Sequence, residues 1–219
     1  FLRLTEGVKP RLLTTIENSM GRQVNLTYGY SGTHYLRDRN AGRPWGSKLP
    51  QHVTVVERLQ IVDRIGNTRS ESRYEYHDGF SDGDDRQFRG FALVDQYDAA
   101  QYGEADTTLD AHYADPVCVR TWFHNGAPDW SGKRGRDFYG GDSLAASLPT
   151  EAIDAALPLK DEELLDAYRA LAGAVLRKET YGHDRERRHE HPYAVAQSNC
   201  RLRFLQPAQD DRDACFALF

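Results

Sequence analysis

Residues 52–77 read HVTVVERLQIVDRIGNTRSESRYEYH. In the first half Val53, Val55, Leu59 and Ile61 recur at even spacing, with Glu57 the sole interruption. A two-residue period is that of a strand with one face buried. Ile65-Gly66-Asn67-Thr68 supplies turn residues, and Ser70–His77 returns with Tyr74 and Tyr76 on one side. Two such runs around a short turn predict a β-hairpin.

The same grammar extends in both directions. Upstream, Arg22–Tyr30 alternates through Val24, Leu26, Tyr28 and Tyr30, and Asn40–Gly46 is a loop of turn residues. Downstream, turns are expected at Asp78-Gly79 and over Ser81–Asp85. A strand follows from Arg86 to Tyr97, with Gly90 as a bulge candidate. Regular strand, turn, strand spacing points to an antiparallel meander rather than parallel βαβ units. Pro116–His124 is a further strand, with Val117, Val119 and Phe123 on one side and Arg120, Trp122 and His124 on the other. One clear helix is expected over about 161–172. Leu164, Tyr168 and Leu171 recur at helical steps, acids fill the first turn, and Gly173 is the stop. Val175–Tyr181 and Asn199–Leu205 complete the strands. The polar stretch from Gln101 to Pro116 divides the chain into segments 1–105 and 106–219. The fold class is therefore mostly β, an antiparallel meander with one short helix.

Composition narrows the function classes. The 219 residues are 39% hydrophobic and 28% charged, and the net charge is -5. Basic residues are scattered among acids, which argues against nucleic acid or an anionic membrane as the main partner. No apolar run is long enough to span a bilayer. The mean hydropathy of -0.71 suits thin sheet layers better than one thick core. Cys118, Cys200 and Cys215 match neither a disulfide framework nor a zinc spacing and read as free thiols. Phe1 and the strand-like Cys215–Phe219 read as cuts within a longer polypeptide.

Candidate chemistry is sparse. Asp78–Asp85 places acids in a glycine-rich turn that could hold calcium, but Phe80 and Arg89 stand where oxygen ligands belong in an EF-hand. The plainer reading is a turn shaped by Asp and Gly. His183, His189 and His191 could bind zinc, yet their Arg and acidic neighbours describe a solvated loop. No Gly-x-Ser-x-Gly elbow occurs, and Cys118 lies too far along its strand from His124 to form a nucleophilic pair. Asp82 and Asp85 form the carboxylate pair a glycan hydrolase would need. Trp45, Trp122 and Trp130 could stack on carbohydrate, against a plainer reading of sheet packing and loop anchoring. No catalytic, cofactor-binding or metal-ligating residue is assigned. A carbohydrate-binding β-module is the alternative function, and a glycan hydrolase the third.

An ordered set of short motifs carries a resemblance. Lys9-Pro10, Asn18-x-Met20-Gly21, Ala41-Gly42-Arg43-Pro44-Trp45, Tyr74-x-Tyr76-His77-x-Gly79, Arg86-x-Phe88-Arg89-Gly90-Phe91, Val119–His124, Tyr181-Gly182, His191-Pro192-Tyr193 and Leu205-Gln206-Pro207 follow one another through the chain. Together they resemble the middle N-terminal and middle C-terminal regions of the B component of the bacterial Tc insecticidal toxin complex. Rhs-repeat shells and plasmid-virulence proteins share parts of the pattern. Asn125–Leu157 and the loop around Arg185 match poorly. The resemblance implies a wall segment of a secreted β-shell, assembled in the bacterial cytoplasm before release. It implies a C component as shell partner, an A component as translocation channel, an enclosed cytotoxic cargo, and no enzyme in this segment.

Overall fold

A computed structural model of the chain describes residues 11–47, 49–102, 113–127, 138–141, 152–154, 158–182, 190–209 and 212–219. The elements in chain order are β1 (Thr15–Glu17), β2 (Arg22–Tyr30), α1 (Ser31–Asn40), β3 (Thr54–Asp63), β4 (Thr68–Asp82), β5 (Gln87–Tyr102) and β6 (Tyr113–Phe123). After them come β7 (Ala152–Asp154), α2 (Asp161–Ala170), β8 (Val175–Gly182), β9 (Ala194–Gln197), β10 (Arg201–Gln206) and β11 (Cys215–Leu218). Eight strands form one sheet in the order β1-β2-β3-β4-β5-β6-β8-β9, antiparallel at every pairing. A smaller sheet runs β11-β10-β7.

The hairpin forms as its sequence predicts. β3 pairs with β4 from Arg58↔Arg73 down to Asp63↔Thr68. The Asp63 carboxylate closes the turn by accepting from the backbone N–H of Ile65 at 2.9 Å and Gly66 at 3.0 Å. The alternation within β3 is broken, however. Thr27 faces Arg58 and Tyr28 faces Val56, which leaves Glu57 as an extra, bulged residue. Val56, not Val55, therefore shares a face with Leu59 and Ile61. Val55 turns to the opposite face and is buried.

The turn expected at Asp78-Gly79 is absent. β4 runs straight through it to Asp82, with Asp78 held at φ 49. What looked like turn chemistry serves the Trp45 loop instead. The Asp78 carboxylate accepts from the Gly46 N–H at 3.0 Å, and the Ser47 hydroxyl donates to the Gly79 carbonyl at 2.7 Å. The bulge expected near Gly90 is present. Phe80 faces Gly90 and Ser81 faces Phe88, so Arg89 is the extra residue.

A second helix stands beside the one expected. α1 follows β2 without a break, and its buried residues are Ser31, His34 and Asp38. No apolar stripe announces it. α2 is the helix expected over about 161–172. Ala167 and Leu171 pack against Leu202 of the small sheet and Cys200 just before β10, flanked by Tyr168 and Phe216. Asp161, Glu162 and Glu163 lie at its positive end.

Candidate functional site

The buried residues of this protein are rich in charge. Arg177, Glu179, His77, Asp95 and Asp38 are all buried. Strand register explains how they meet. Glu75, Asp95, Arg120 and Glu179 lie directly opposite one another across β4, β5, β6 and β8. The next row on the same face holds His77, Leu93, Trp122 and Arg177. Opposed like charges are unfavourable. The Glu75–Asp95 pair is offset by Arg37 of α1, 3.0 Å from Glu75, and by Arg120, whose Nε donates to Asp95 at 2.9 Å.

The centre of this face is a chain of four ions joined to an indole. The Trp45 N–H donates to Asp38 Oδ2 at 2.7 Å. His77 Nδ1 lies 2.7 Å from the same oxygen, and His77 Nε2 lies 3.6 Å from Asp95 Oδ2. Arg120 completes the chain on the far side of Asp95. Burial opposes charge on each group, but the contacts win. His77 is raised above its ordinary value because Asp38 and Asp95 favour the imidazolium more than burial disfavours it. Burial pushes Asp38 and Asp95 up, and hydrogen bonds from His77, Trp45 and Arg120 bring both below the usual carboxylate range. Charges alternate along the chain, as buried charges require.

His34 does related work one turn earlier on α1. Its Nδ1 accepts from the Tyr76 backbone N–H at 3.4 Å, and its Nε2 faces the bulged Glu57 carboxylate at 3.4 Å. Above Arg58↔Arg73 the ladder between β3 and β4 stops, and His34 fills the opening with Tyr76, whose hydroxyl donates to the Val56 carbonyl at 2.7 Å. Burial and the Arg37 charge lower His34 to about 4, so it is neutral near pH 7.

A carboxylate–imidazole–carboxylate chain resembles the orienting half of a catalytic triad. Among the described residues, the contacts of this chain include no serine or cysteine nucleophile. Cys118, in the neighbouring row, faces Tyr97 and Tyr181 in register, and burial pushes its thiol up to about 11. His124 accepts from the Gly126 N–H at 2.9 Å through Nδ1 and stacks on Tyr168 of α2, away from Cys118. A hollow of about 530 Å³ opens over the face between Arg43, Glu75, Arg120 and Tyr181.

The other candidate residues are committed elsewhere. Asp82 accepts from the Asp84 N–H at 3.0 Å and, with Asp85, holds Arg89 and Arg169. The acidic turn is thus neutralised by two guanidinium groups. Among the described residues, no three His, Cys, Asp or Glu side chains gather as a metal would need. Trp45 is buried at 8% exposure against Tyr35 and Phe91, so it is an anchor and not an open platform. Trp122 packs edge-on to Phe138 beside Leu93. Trp130, His183 and His189 lie outside the described residues, and His191 contacts the Tyr139 hydroxyl. Sequence reasoning missed Asp38, His77, Asp95 and Arg120. Their separation along the chain hides them, and the only signal was strand register.

The model of the insecticide toxin TcdB middle/N-terminal region matches residues 2–126. That of the TcdB middle/C-terminal region matches residues 166–219. No curated protein matches the chain. Among solved structures, a TcdB2-TccC3 complex without its hypervariable C-terminal region aligns with a TM-score of 0.81 at 25% identity. It covers 96% of this chain and 10% of that one. A Photorhabdus luminescens Tc holotoxin pore aligns at 0.74 and 24% identity, over 89% of this chain and 9% of that one. The chain thus spans about a tenth of the proteins it superposes on.

Proposed function

This chain belongs to the insecticide toxin TcdB middle/N-terminal region family, and on that premise we propose that it is a stretch of wall in a toxin-complex shell. The observation that carries this reading is the superposition of nearly the whole chain, with its eight-stranded antiparallel sheet, on a tenth of a TcdB2-TccC3 chain. A sheet grows strand by strand without enlarging a round core, so it suits a container whose inside must stay empty. Strands half-buried on both faces suit a wall wet on each side.

In this role the parent chain pairs with a C component, docks on an A component and encloses a cytotoxic cargo. The matched structures, a TcdB2-TccC3 complex and a Tc holotoxin pore, support those partners. The segment itself performs no catalysis, and its charged face stiffens the wall. The assembly forms in the bacterial cytoplasm and is then released. The buried thiol of Cys118, outside any disulfide, suits folding under reducing conditions.

The test is protease protection. The parent B chain is coexpressed with its C component, and cargo survival under protease is compared with that of a parent lacking β4 to β6. Protection in the first and loss in the second is the expected result. Cargo digested equally in both, or protected equally in both, sinks the proposal.

A further inference from the structure

An ordinary surface helix is held by an apolar stripe. α1 is not. Its buried positions are Ser31, His34 and Asp38, and its Leu36 points to solvent at 47% exposure. Hollows of about 530 and 550 Å³ lie over this face of the sheet, both bordered by Glu75 and the second by α1 itself. The attachment of α1 is therefore mainly hydrogen-bonded and ionic, and its most buried ion, Asp38, meets His77.

Two carboxylates flank that ring. Asp38 faces Nδ1 and Asp95 faces Nε2. A neutral imidazole has one N–H and one lone pair, so it satisfies one carboxylate and turns a lone pair on the other. Only the imidazolium sets a positive charge between the two carboxylates, bonded to Asp38 at 2.7 Å and 3.6 Å from Asp95. We propose that α1 is closed by a protonation-operated latch, held on the sheet while His77 is an imidazolium and loosened when that ring becomes neutral.

The groups facing the latch are His34, Arg37 and Asp38 on α1, Arg43 after it, Glu75 on β4, Asp95 on β5 and Arg120 on β6. Their roles set the direction. His77 titrates above its ordinary 6.5, so its contribution is complete below that value and is lost as pH rises through the raised one. Asp38 and Asp95 are held below 3.8 and stay ionised throughout that rise. His34 is already neutral there and contributes no alkaline step. Arg37 and Arg43 stay charged and keep Asp38 partly paired, so α1 loosens without the sheet unfolding.

Hydrogen–deuterium exchange on the full chain, from about pH 6 to about pH 9, tests the latch, with rates corrected for base catalysis. Protection of α1 amides is expected to fall about tenfold across the His77 titration while β5 and β6 amides hold. His77→Gln should abolish the step. Constant α1 protection in the wild type, or the same step in His77→Gln, overturns the proposal. Nitrogen NMR of the wild-type ring gives an answer even if that variant does not fold. Two protonated ring nitrogens at neutral pH support the latch, and a neutral tautomer there overturns it.

Discussion

Arg169 on α2 sets its Nε 3.2 Å from both Asp82 and Asp85, at the tip of a hairpin 87 residues away from Asp82 in the chain. This contact ties the helix of the small-sheet module to the end of the longest hairpin of the large sheet. Asp166 holds the same guanidinium from below at 2.9 Å, and Arg89 joins the two acids from β5. The cluster is partly exposed, so solvent and salt weaken it. A double-mutant cycle of Arg169→Met and Asp82→Asn should give a coupling of about 1 kcal/mol at low salt, shrinking in high salt. Urea unfolding measures it, and a coupling of zero at low salt would mean the contact adds no stability.

Gly79→Ala should be destabilising by about 1–3 kcal/mol, because a β-carbon there has no room. It would lie 2.9 Å from Trp45 Cζ3 and 3.1 Å from both Leu49 Cδ1 and Phe91 Cε1. The backbone is not the obstacle, since the crowding comes from the Trp45 loop folded over the strand and from Phe91 of β5. Thermal unfolding should show a lowered Tm, and an unchanged one would show that the loop yields.

The pair Arg177–Glu179 is buried at 2.6 Å, with Tyr181 donating to the second Glu179 oxygen. Glu179→Gln leaves a buried guanidinium without its counter-charge and should cost about 3–5 kcal/mol. Removing both charges, as Arg177→Met with Glu179→Leu, should recover most of that loss, because a buried pair seldom outperforms apolar packing. Chemical denaturation of the three proteins checks the order. A double variant weaker than the single would show that Arg177 matters more for Phe138, over which it sits at 4.8 Å, and for Gln197.

Acid should weaken the fold in a defined window. Asp38, Asp82 and Asp95 all titrate below the ordinary 3.8. Stability from each is present above that value and is lost as pH falls through the lowered one. The urea midpoint should therefore fall steeply on the acid side of pH 3.8. Asp95→Asn should flatten that fall while lowering stability near neutrality. A midpoint independent of acid would mean the three carboxylates carry no net stabilisation.

Much of the fold was legible because it follows spacing. β2 occupies the predicted Arg22–Tyr30, the Ile65–Asn67 turn closes the hairpin, and α2 starts at the predicted Asp161. The errors share a cause. Asp78-Gly79 has turn chemistry, but the fold uses it to seat a tryptophan loop inside a strand. Glu57 reads as a polar interruption, but it is an extra residue that moves Val55 to the other face. α1 was hidden because its inward residues, Ser31, His34 and Asp38, are the types usually placed outside. The ion chain was hidden for the same reason. Its members look like surface residues until register sets them opposite one another.

The length of β4 and β5 has a mechanical consequence. At 16 residues β5 extends about 50 Å, and it is laced on both sides by ladders perpendicular to its axis. A pull along the strand loads many hydrogen bonds at once in shear, whereas a pull across the sheet opens them singly, from the rim inward. β9 at that rim is four uncharged residues, Ala194–Gln197, joined to the sheet on one side. A sheet made this way is stiff lengthwise and tears from its rim.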